Sequence, residues 1–315
     1  MPYHYTTGAR ERAFGRVSSF EFYRFRFRFQ AEEPLELPAG GSANVVRGAL
    51  GTLLQRVAPR EVYQRLFEPK QGSGGGPSGL ADEPRPFVLR SAHLDGAAIA
   101  AGENFFFDAH VFELRQPVLD HLQAAFAELA MAGIGPRRAR ARLEAAESLD
   151  LQGQAGSGES VLCRVPLDPD TAVWNSCTLR FVTPTELKTG GAIAARPEFG
   201  VLFARLRDRI CTLRALYGAG ALKLDFRGMG ERASQVTLGR CDLRWENLTR
   251  RSSRTGQTHP LGGFVGEAEY QGVLAEFLPW LRAARWVGVG RQAVWGKGEM
   301  HVIAESAAAA NINHR

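Results

Sequence analysis

Lysine is scarce in this 315-residue chain, with only Lys70, Lys188, Lys223 and Lys297, although basic residues outnumber acidic ones by 39 to 33. The positive charge is therefore mostly arginine, whose planar guanidinium grips phosphate with two prongs and stacks on bases, where an ammonium is a point charge. Cysteine is scarce too. Cys163, Cys177, Cys211 and Cys241 are widely separated, with no Cys-x-x-Cys pair and no histidine at ligand spacing. That pattern speaks against a zinc site or a disulfide framework and predicts buried, reduced thiols; no metal and no cofactor are expected. No apolar run matches a membrane span, and Met1 to Arg16 carries Arg10, Arg12 and Arg16 without an apolar core. Neither a membrane partner nor a secretory leader is expected, and a cytoplasmic location is.

What is present fits a globular chain of two domains: 44% of residues are hydrophobic and the net charge is +6. The excess is localised. Val201 to Pro260 holds twelve basic residues against five acidic ones, enough to account for the whole imbalance. Clustering of this kind favours a nucleic-acid surface over codon bias, with a solvated arginine-rich helix as the competing reading.

The clearest strand runs from Phe20 to Phe29, where alternation puts Tyr23, Phe25, Phe27 and Phe29 on one face and Arg24, Arg26 and Arg28 on the other. The aromatics are expected inside, leaving the arginines to phosphates or to solvent. Ser42 opens a helix with Val46, Leu50, Leu53 and Leu54 on one side; strands follow at Phe87 to Arg90 and Asn104 to Glu113, then a helix from Pro117. A basic run after two glycines, Gly133 to Arg142, precedes a last strand near Val161 to Val165. The second half repeats the order: a strand from Thr178, a helix striped by Phe199, Leu202, Phe203, Leu206, Ile210 and Leu213, strands at Cys241 to Asn247 and Phe264 to Tyr270, a helix over Leu274 to Leu281 and a strand at Glu299 to Ala304.

Between that last helix and strand lies a glycine-rich loop, with Gly288, Gly290, Gly296 and Gly298 around Arg291 and Lys297. Glycines let backbone amides approach an anion, so the loop suits a phosphate; a hairpin serving only the fold is the alternative. A nucleoside-triphosphate loop is excluded because Lys297 is followed by glycine rather than Ser or Thr. A dinucleotide fingerprint is excluded because the order is helix, glycines, strand.

Several motifs carry a resemblance: Arg47-Gly-Ala-Leu-Gly51, Tyr63-x-x-Leu-Phe-Glu-Pro69, Thr178 to Lys188, Arg254-x-Gly256-Gln257 leading into Pro260 to Gly266, the Phe277 to Leu281 segment and the G-x-G-(x5)-G-x-G loop. Together they resemble the CRISPR-associated precursor-crRNA-processing endoribonucleases of the RAMP superfamily, over most of the chain. The resemblance implies an α+β protein of two tandem ferredoxin-like (βαββαβ, RRM-like) domains, residues 17–168 and 169–308, the second carrying the glycine-rich loop. It implies CRISPR repeat RNA, or precursor crRNA, as partner, with other CRISPR-associated effector subunits as further partners. The activity implied is metal-independent cleavage, in which a 2′-hydroxyl attacks the adjacent phosphate to leave a 2′,3′-cyclic phosphate and a 5′-hydroxyl.

That chemistry needs a base, an acid and a cation on the phosphorane. The related subgroup commonly carries Trp-x-His-Val-Gly-Lys entering the glycine loop, but here Gly288 and Arg291 replace the histidine and lysine; near the first helix, where other members place a histidine, stand Asn44 and Arg47. Among seven histidines, His259 lies between the Arg250, Arg251, Arg254 segment and the glycine-led strand, and is the expected acid or base. Arg47 and Lys188 are the expected electrostatic participants, with Tyr23 or Arg254 as alternatives. The expected RNA-binding residues are Arg24, Arg26, Arg28, Arg137, Arg138, Arg250, Arg251, Arg254, Gly288, Gly290, Arg291, Gly296, Lys297 and Gly298. The replaced histidines keep a second reading open, a catalytically inactive guide-RNA-binding subunit. A protein-interaction module with an incidental arginine surface is the third.

Overall fold

In the computed structural model, which describes residues 18–68, 83–116, 118–156, 160–251 and 258–307, the first unit runs β1 (Ser19–Ala31), α1 (Ser42–Val57), α2 (Arg60–Phe67), β2 (Phe87–Arg90), β3 (Asn104–Val111), α3 (Leu119–Ala127), β4 (Ala141–Leu149) and β5 (Leu162–Pro166). Its antiparallel sheet is ordered β2-β3-β1-β4. Strand β1 is long enough for two partners on one edge: β4 pairs with Arg24 to Ala31 and β5 with Ser19 to Tyr23. The alternation of β1 does what the sequence predicts. Phe25, Phe27 and Phe29 are buried, and Phe27 meets Phe126 of α3 at 4.6 Å between ring centres. Burying each ring stabilises the unit by ~2 kcal/mol.

The second unit runs β6 (Trp174–Thr185), α4 (Phe199–Tyr217), α5 (Phe226–Ala233), β7 (Thr237–Glu246), a small hairpin of β8 (Thr249–Arg251) and β9 (Thr258–Pro260), β10 (Gly263–Gln271), α6 (Leu278–Val287) and β11 (Met300–Ala307). Its sheet order, β7-β10-β6-β11, is antiparallel throughout and reproduces that of the first unit. Both are βαββαβ units, so the chain is α+β with two tandem ferredoxin-like folds. Among the described residues, no helix is long and apolar enough to cross a membrane.

Three details depart from expectation. The fourth ferredoxin strand of the first unit is β4, not the segment near Val161, which forms the extra strand β5. Its sequence, ARLEAAESL, is rich in helix-favouring Ala, Glu and Leu, and pairing along β1 overrides that preference. Helix α6 begins at Leu278 rather than Leu274 because Pro279, lacking an N–H, belongs in a first turn. The arginines of α4 are not a solvated face: Arg207 donates to the Phe226 carbonyl (2.8 Å), Arg209 to Val287 (2.9 Å) and Arg214 to Ser19 (2.8 Å). These arginines of the locally basic segment are thus used to satisfy backbone carbonyls.

The first unit has its own core, and the core of the second unit extends into the first through Phe20, Phe22, Val88 and Phe112. Phe20 and Phe22 lie on the arginine-bearing face of β1, yet both are buried; Phe22 packs on Trp286 at 5.2 Å and on His110 at 5.4 Å between ring centres. Polar contacts stitch the same seam. Arg90 Nη2 donates to the Arg285 carbonyl (3.0 Å), His110 Nδ1 to Trp286 (2.9 Å) and the Tyr217 hydroxyl to Pro84 (2.9 Å). Cys163, Cys177 and Cys211 are buried free thiols, and burial pushes the latter two up to about 12.

Candidate active site

The glycine loop begins where α6 stops, at Gly288 with φ 72°, and returns through Gly298, φ 71°, into β11. The glycines are there for contact. A Cβ on Gly298 would sit 1.9 Å from the Val289 carbonyl oxygen, one on Gly290 2.3 Å from that of Glu186, and one on Gly296 2.3 Å from Ala43 Cβ in α1. The loop is folded onto itself and docked against the first turn of α1. Several of its amides are engaged: Gly288 donates to Ala284 (2.8 Å), Val289 to Gly298 (2.8 Å), Arg291 to Glu186 (3.0 Å), Gly296 to Ala293 (3.0 Å) and Gly298 to Pro184 (3.1 Å). At Gly288, Gly296 and Gly298 the expected anion cradle of backbone N–H groups is therefore corrected, since protein carbonyls already occupy these three donors.

Lys297 also turns inward. It is 3% exposed and its Nζ donates to the Gly40 carbonyl at 2.7 Å, tying the loop to the turn that leads into α1. Burial pushes its pKa down, while Asp95 and Glu246 pull it up. An ammonium in this position holds the two units together and is withdrawn from any ligand outside, which corrects the expectation of Lys297 as a surface RNA contact. Arg291 stays half-exposed and pairs with the buried carboxylate of Glu186.

Three segments meet at this point. Arg47, on α1, places its guanidinium carbon 5.6 Å from the Trp295 ring of the glycine loop and 5.3 Å from Phe67. The β8–β9 hairpin reaches the loop through its root, where Gln292 Nε2 donates to the Pro260 carbonyl (2.7 Å), and it reaches α1 through Leu248, whose side chain covers Gly40. In that hairpin Arg250 pairs with His259 and Arg251 with Thr258. Only the backbone of Arg250, Arg251 and His259 is described, and Arg254 lies outside the described residues. Lys188 stands two residues after Glu186 at the start of a short hairpin, and its carbonyl accepts from Arg205 Nε (3.0 Å). Arg47, Lys188, His259 and Arg291 thus belong to segments that touch one loop.

The other expected RNA contacts lie apart. Arg137 and Arg138 occupy a turn closed by the Ile134–Ala139 bridge; Arg137 is exposed and pairs with Glu36 at 3.1 Å. Gly135 of that turn rests against Val45 of α1, 3.8 Å from a Cβ built there. Arg24, Arg26 and Arg28 line the open face of β1 but are paired, the first two with Asp108 (2.8 and 2.7 Å) and the third with Glu147 (2.8 Å). Burial alone would raise the Asp108 pKa, and the hydrogen bonds from Arg26 and Arg24 hold it below its usual value. Tyr23 is on the opposite face, stacked on Phe25 at 5.8 Å between ring centres. Sequence reasoning missed Glu186 and Trp295, which position the loop; the signal for Glu186 was an acid just before Lys188 at the end of an apolar strand.

Comparison with known proteins fits this architecture. Residues 179–300 match the family model of the CRISPR-associated endoribonuclease Cas6, and residues 20–165 match a model described as an N-terminal domain. No curated protein matches the sequence. Among solved structures, Thermus thermophilus Cas6 (TTHB231) superposes with a TM-score of 0.55 at 18% identity, covering 91% of this chain and 100% of that one. A Cas6 (TTHA0078) product complex gives 0.54 at 19% identity, covering 90% and 100%. A partial Cas6-RT-Cas1–Cas2 complex gives 0.59 at 12% identity, covering 93% of this chain and 47% of that one. At these identities the structural likeness speaks to the fold, and the stretch that matches the CRISPR-associated endoribonuclease Cas6 model, residues 179–300, spans most of the C-terminal ferredoxin-like unit.

Proposed function

We propose that this protein binds CRISPR repeat RNA and cuts precursor crRNA once, without a metal, by attack of a 2′-hydroxyl on the adjacent phosphate. The observation that carries the reading is the meeting of α1, the glycine loop and the β8–β9 hairpin at one place in a chain whose residues 179–300 match the Cas6 endoribonuclease model. On this reading the hairpin arginines and Arg291 hold the backbone, and Arg47, with Lys188, faces the phosphorane. His259 moves the proton at the 2′-oxygen or at the leaving 5′-oxygen, a role suited to a group that titrates near neutrality. The glycine loop fixes α1 against the hairpin and leaves phosphate contact to side chains. Solved structures named as Cas6 product complexes support a reading in which a substrate is cut, and the Cas6-RT-Cas1–Cas2 assembly supports partnership with other CRISPR proteins. The same reading takes residues 17–168 and 169–308 as the two domains and the cytoplasm as the site of action.

A second reading has its own observation. Gly288 and Arg291 stand where the resemblance implies a histidine and a lysine, and Lys297 is buried, as a guide-binding subunit without catalysis would permit. Incubation of the purified protein with its genomic repeat RNA in excess chelator separates the two. A single cut with a cyclic phosphate end, abolished in His259→Ala at nearly unchanged affinity, is the expected result. Tight binding with no cut would replace the enzyme by the binding subunit.

A further inference from the structure

The second sheet ends on β7, and among the described residues no segment pairs with the outer side of that strand. Such an edge presents unpaired backbone N–H and C=O groups, a template for another strand. From Cys241 to Glu246 the strand is regular, pairing with Ala268 to Gly263 of β10, after a break in register that follows Leu238. Its side chains are sorted by face. Arg240, Asp242, Arg244 and Glu246 share one face, where Arg240 pairs with Asp242 (2.6 Å) and Arg244 with Glu246 (2.7 Å). Arg240, Asp242 and Arg244 are 69%, 61% and 73% exposed in their side chains. Exposed pairs of this kind contribute little to the fold, so the charges remain available to a partner. On the other face, Cys241 and Leu243 are half-buried and Trp245 is 39% exposed, set edge-on to Phe264 at 5.2 Å between ring centres.

The order of signs along the first face, plus, minus, plus, minus, is self-complementary. Laid antiparallel beside a second copy, with Leu243 against the partner's Leu243, Arg240 faces the partner's Glu246 and Asp242 the partner's Arg244, and the two-fold axis repeats both pairs. On the opposite face Cys241 faces the partner's Trp245. The neighbouring registers that keep the faces aligned fail: one sets Asp242 on the partner's Asp242 and Arg240 on the partner's Arg244, the other Arg244 on the partner's Arg244 and Asp242 on the partner's Glu246. Like charges directly opposite are destabilising. An apolar strand would bury this row unanswered and a strand of one charge would answer half of it, so the occupant that fits is this chain's own β7.

We infer that β7 is a docking edge for a second copy of the chain, the two strands pairing antiparallel about Leu243 and joining two four-stranded sheets into one. The β8–β9 hairpin follows the C-terminal end of β7, so the two hairpins lie at opposite ends of the shared strands and each copy keeps its own candidate site. A single strand pair buries less than the about 800 Å² per partner of a standard interface, so a micromolar Kd is expected.

The test is sedimentation velocity of the full chain without RNA, from about 1 μM to about 200 μM. The wild type is expected to pass from monomer to dimer, and monomer throughout would overturn the inference. Asp242→Arg and Arg244→Asp each turn the two central pairs repulsive and are expected to weaken dimerisation about tenfold or more, while an equimolar mixture restores it, because two basic positions then face two acidic ones. A dimer unchanged in both variants, or two variants that stay monomeric when mixed, would overturn it too. Loss of repeat-RNA affinity in Arg244→Asp with the dimer intact would give the edge to RNA instead. Leu243→Cys keeps every charge in place, and directly opposed positions have Cα atoms about 4.5–5.5 Å apart, within disulfide reach. Mild oxidation is expected to cross-link this variant to its own copy and not the wild type, whose Cys241 faces Trp245 of the partner subunit. Absence of that cross-link would overturn the pairing even where a charge variant failed to fold.

Discussion

The chain contains two loops at the same place in a repeated fold, each joining the second helix of its ferredoxin-like unit to the fourth strand, and they have been put to opposite uses. The loop of the first unit folds on itself: a Cβ on Gly133 would meet the Arg138 carbonyl oxygen at 2.0 Å, and the turn holds Arg137 outward with its side chain 75% exposed. The loop of the second unit folds on its neighbour, with Gly296 against Ala43, Lys297 on the Gly40 carbonyl and Trp295 beside Arg47. Glycine serves close approach in both, and the partner approached decides the outcome. The first loop offers cations to solvent; the second is a joint that sets α1 against the β8–β9 hairpin. A glycine-and-cation pattern therefore reports tight backbone geometry before it reports a ligand.

The largest effect should come from breaking the joint. Gly296→Ala forces a Cβ into Ala43 at a position with φ 77°, and we expect a loss of about 3 kcal/mol together with loss of cleavage. Gly135→Ala, with φ 77° but nothing nearer than 3.7 Å, should cost only about 1–2 kcal/mol of left-handed strain and leave cleavage intact. Calorimetry beside a single-turnover cleavage assay reads both, and equal losses in the two variants would erase the contrast between joint and surface. Next in size is a crossed pair of charge removals. Lys297→Met strands the Gly40 carbonyl and should cost about 1–3 kcal/mol, while the dependence of RNA affinity on salt keeps its slope. Arg137→Ala combined with Arg138→Ala should leave stability within about 0.5 kcal/mol and lower the salt slope by about two. A salt slope lowered by Lys297→Met would mean that the buried ammonium is reached by phosphate after all.

How much of this was legible depends on whether a residue's partner is near in sequence. The facing of β1 was readable from strict alternation, since Phe25, Phe27 and Phe29 need only the pleat to share a side, and the repeated βαββαβ order followed from the spacing of apolar runs. Phe20 and Phe22 continue the same alternation on the arginine face, but nothing local says that a second unit covers them. The inward arginines of α4 and the buried Lys297 were invisible for the same reason: each answers a carbonyl that a distant segment delivers, 257 positions away for Lys297 and Gly40. At the candidate site the glycine loop was found by composition, whereas its docking on α1 and the placement of Arg47 beside Trp295 are products of tertiary assembly. The segment missed outright, β4, has helix-like composition and owes its strand to the open edge of β1.

A last prediction separates the two loops by pH. His110 donates to the carbonyl of Trp286, two residues before the second loop begins, and burial lowers its pKa from 6.5 to about 3, with the Arg90 charge acting in the same direction. The folded protein keeps this imidazole neutral while the unfolded chain takes up a proton as the pH falls below 6.5, so the unfolded state binds more protons and stability declines on acidification from 6.5 toward about 3. Glu299 has the opposite placement: its pKa falls from 4.5 to about 2, so the stability it contributes is present above 4.5 and is lost only as the pH drops toward 2. Between pH 6.5 and 4.5 the joint should therefore weaken through His110, by up to about 1.4 kcal/mol per pH unit, with the Glu299 contribution unchanged. His110→Asn keeps an N–H near the Trp286 carbonyl without a group that titrates in this range, and its Tm should fall less steeply with pH than that of the wild type. The Arg137 and Arg138 double variant, altered only at the self-contained first loop, should follow the wild-type curve. Parallel curves for His110→Asn and wild type would show that the joint does not sense pH through this histidine.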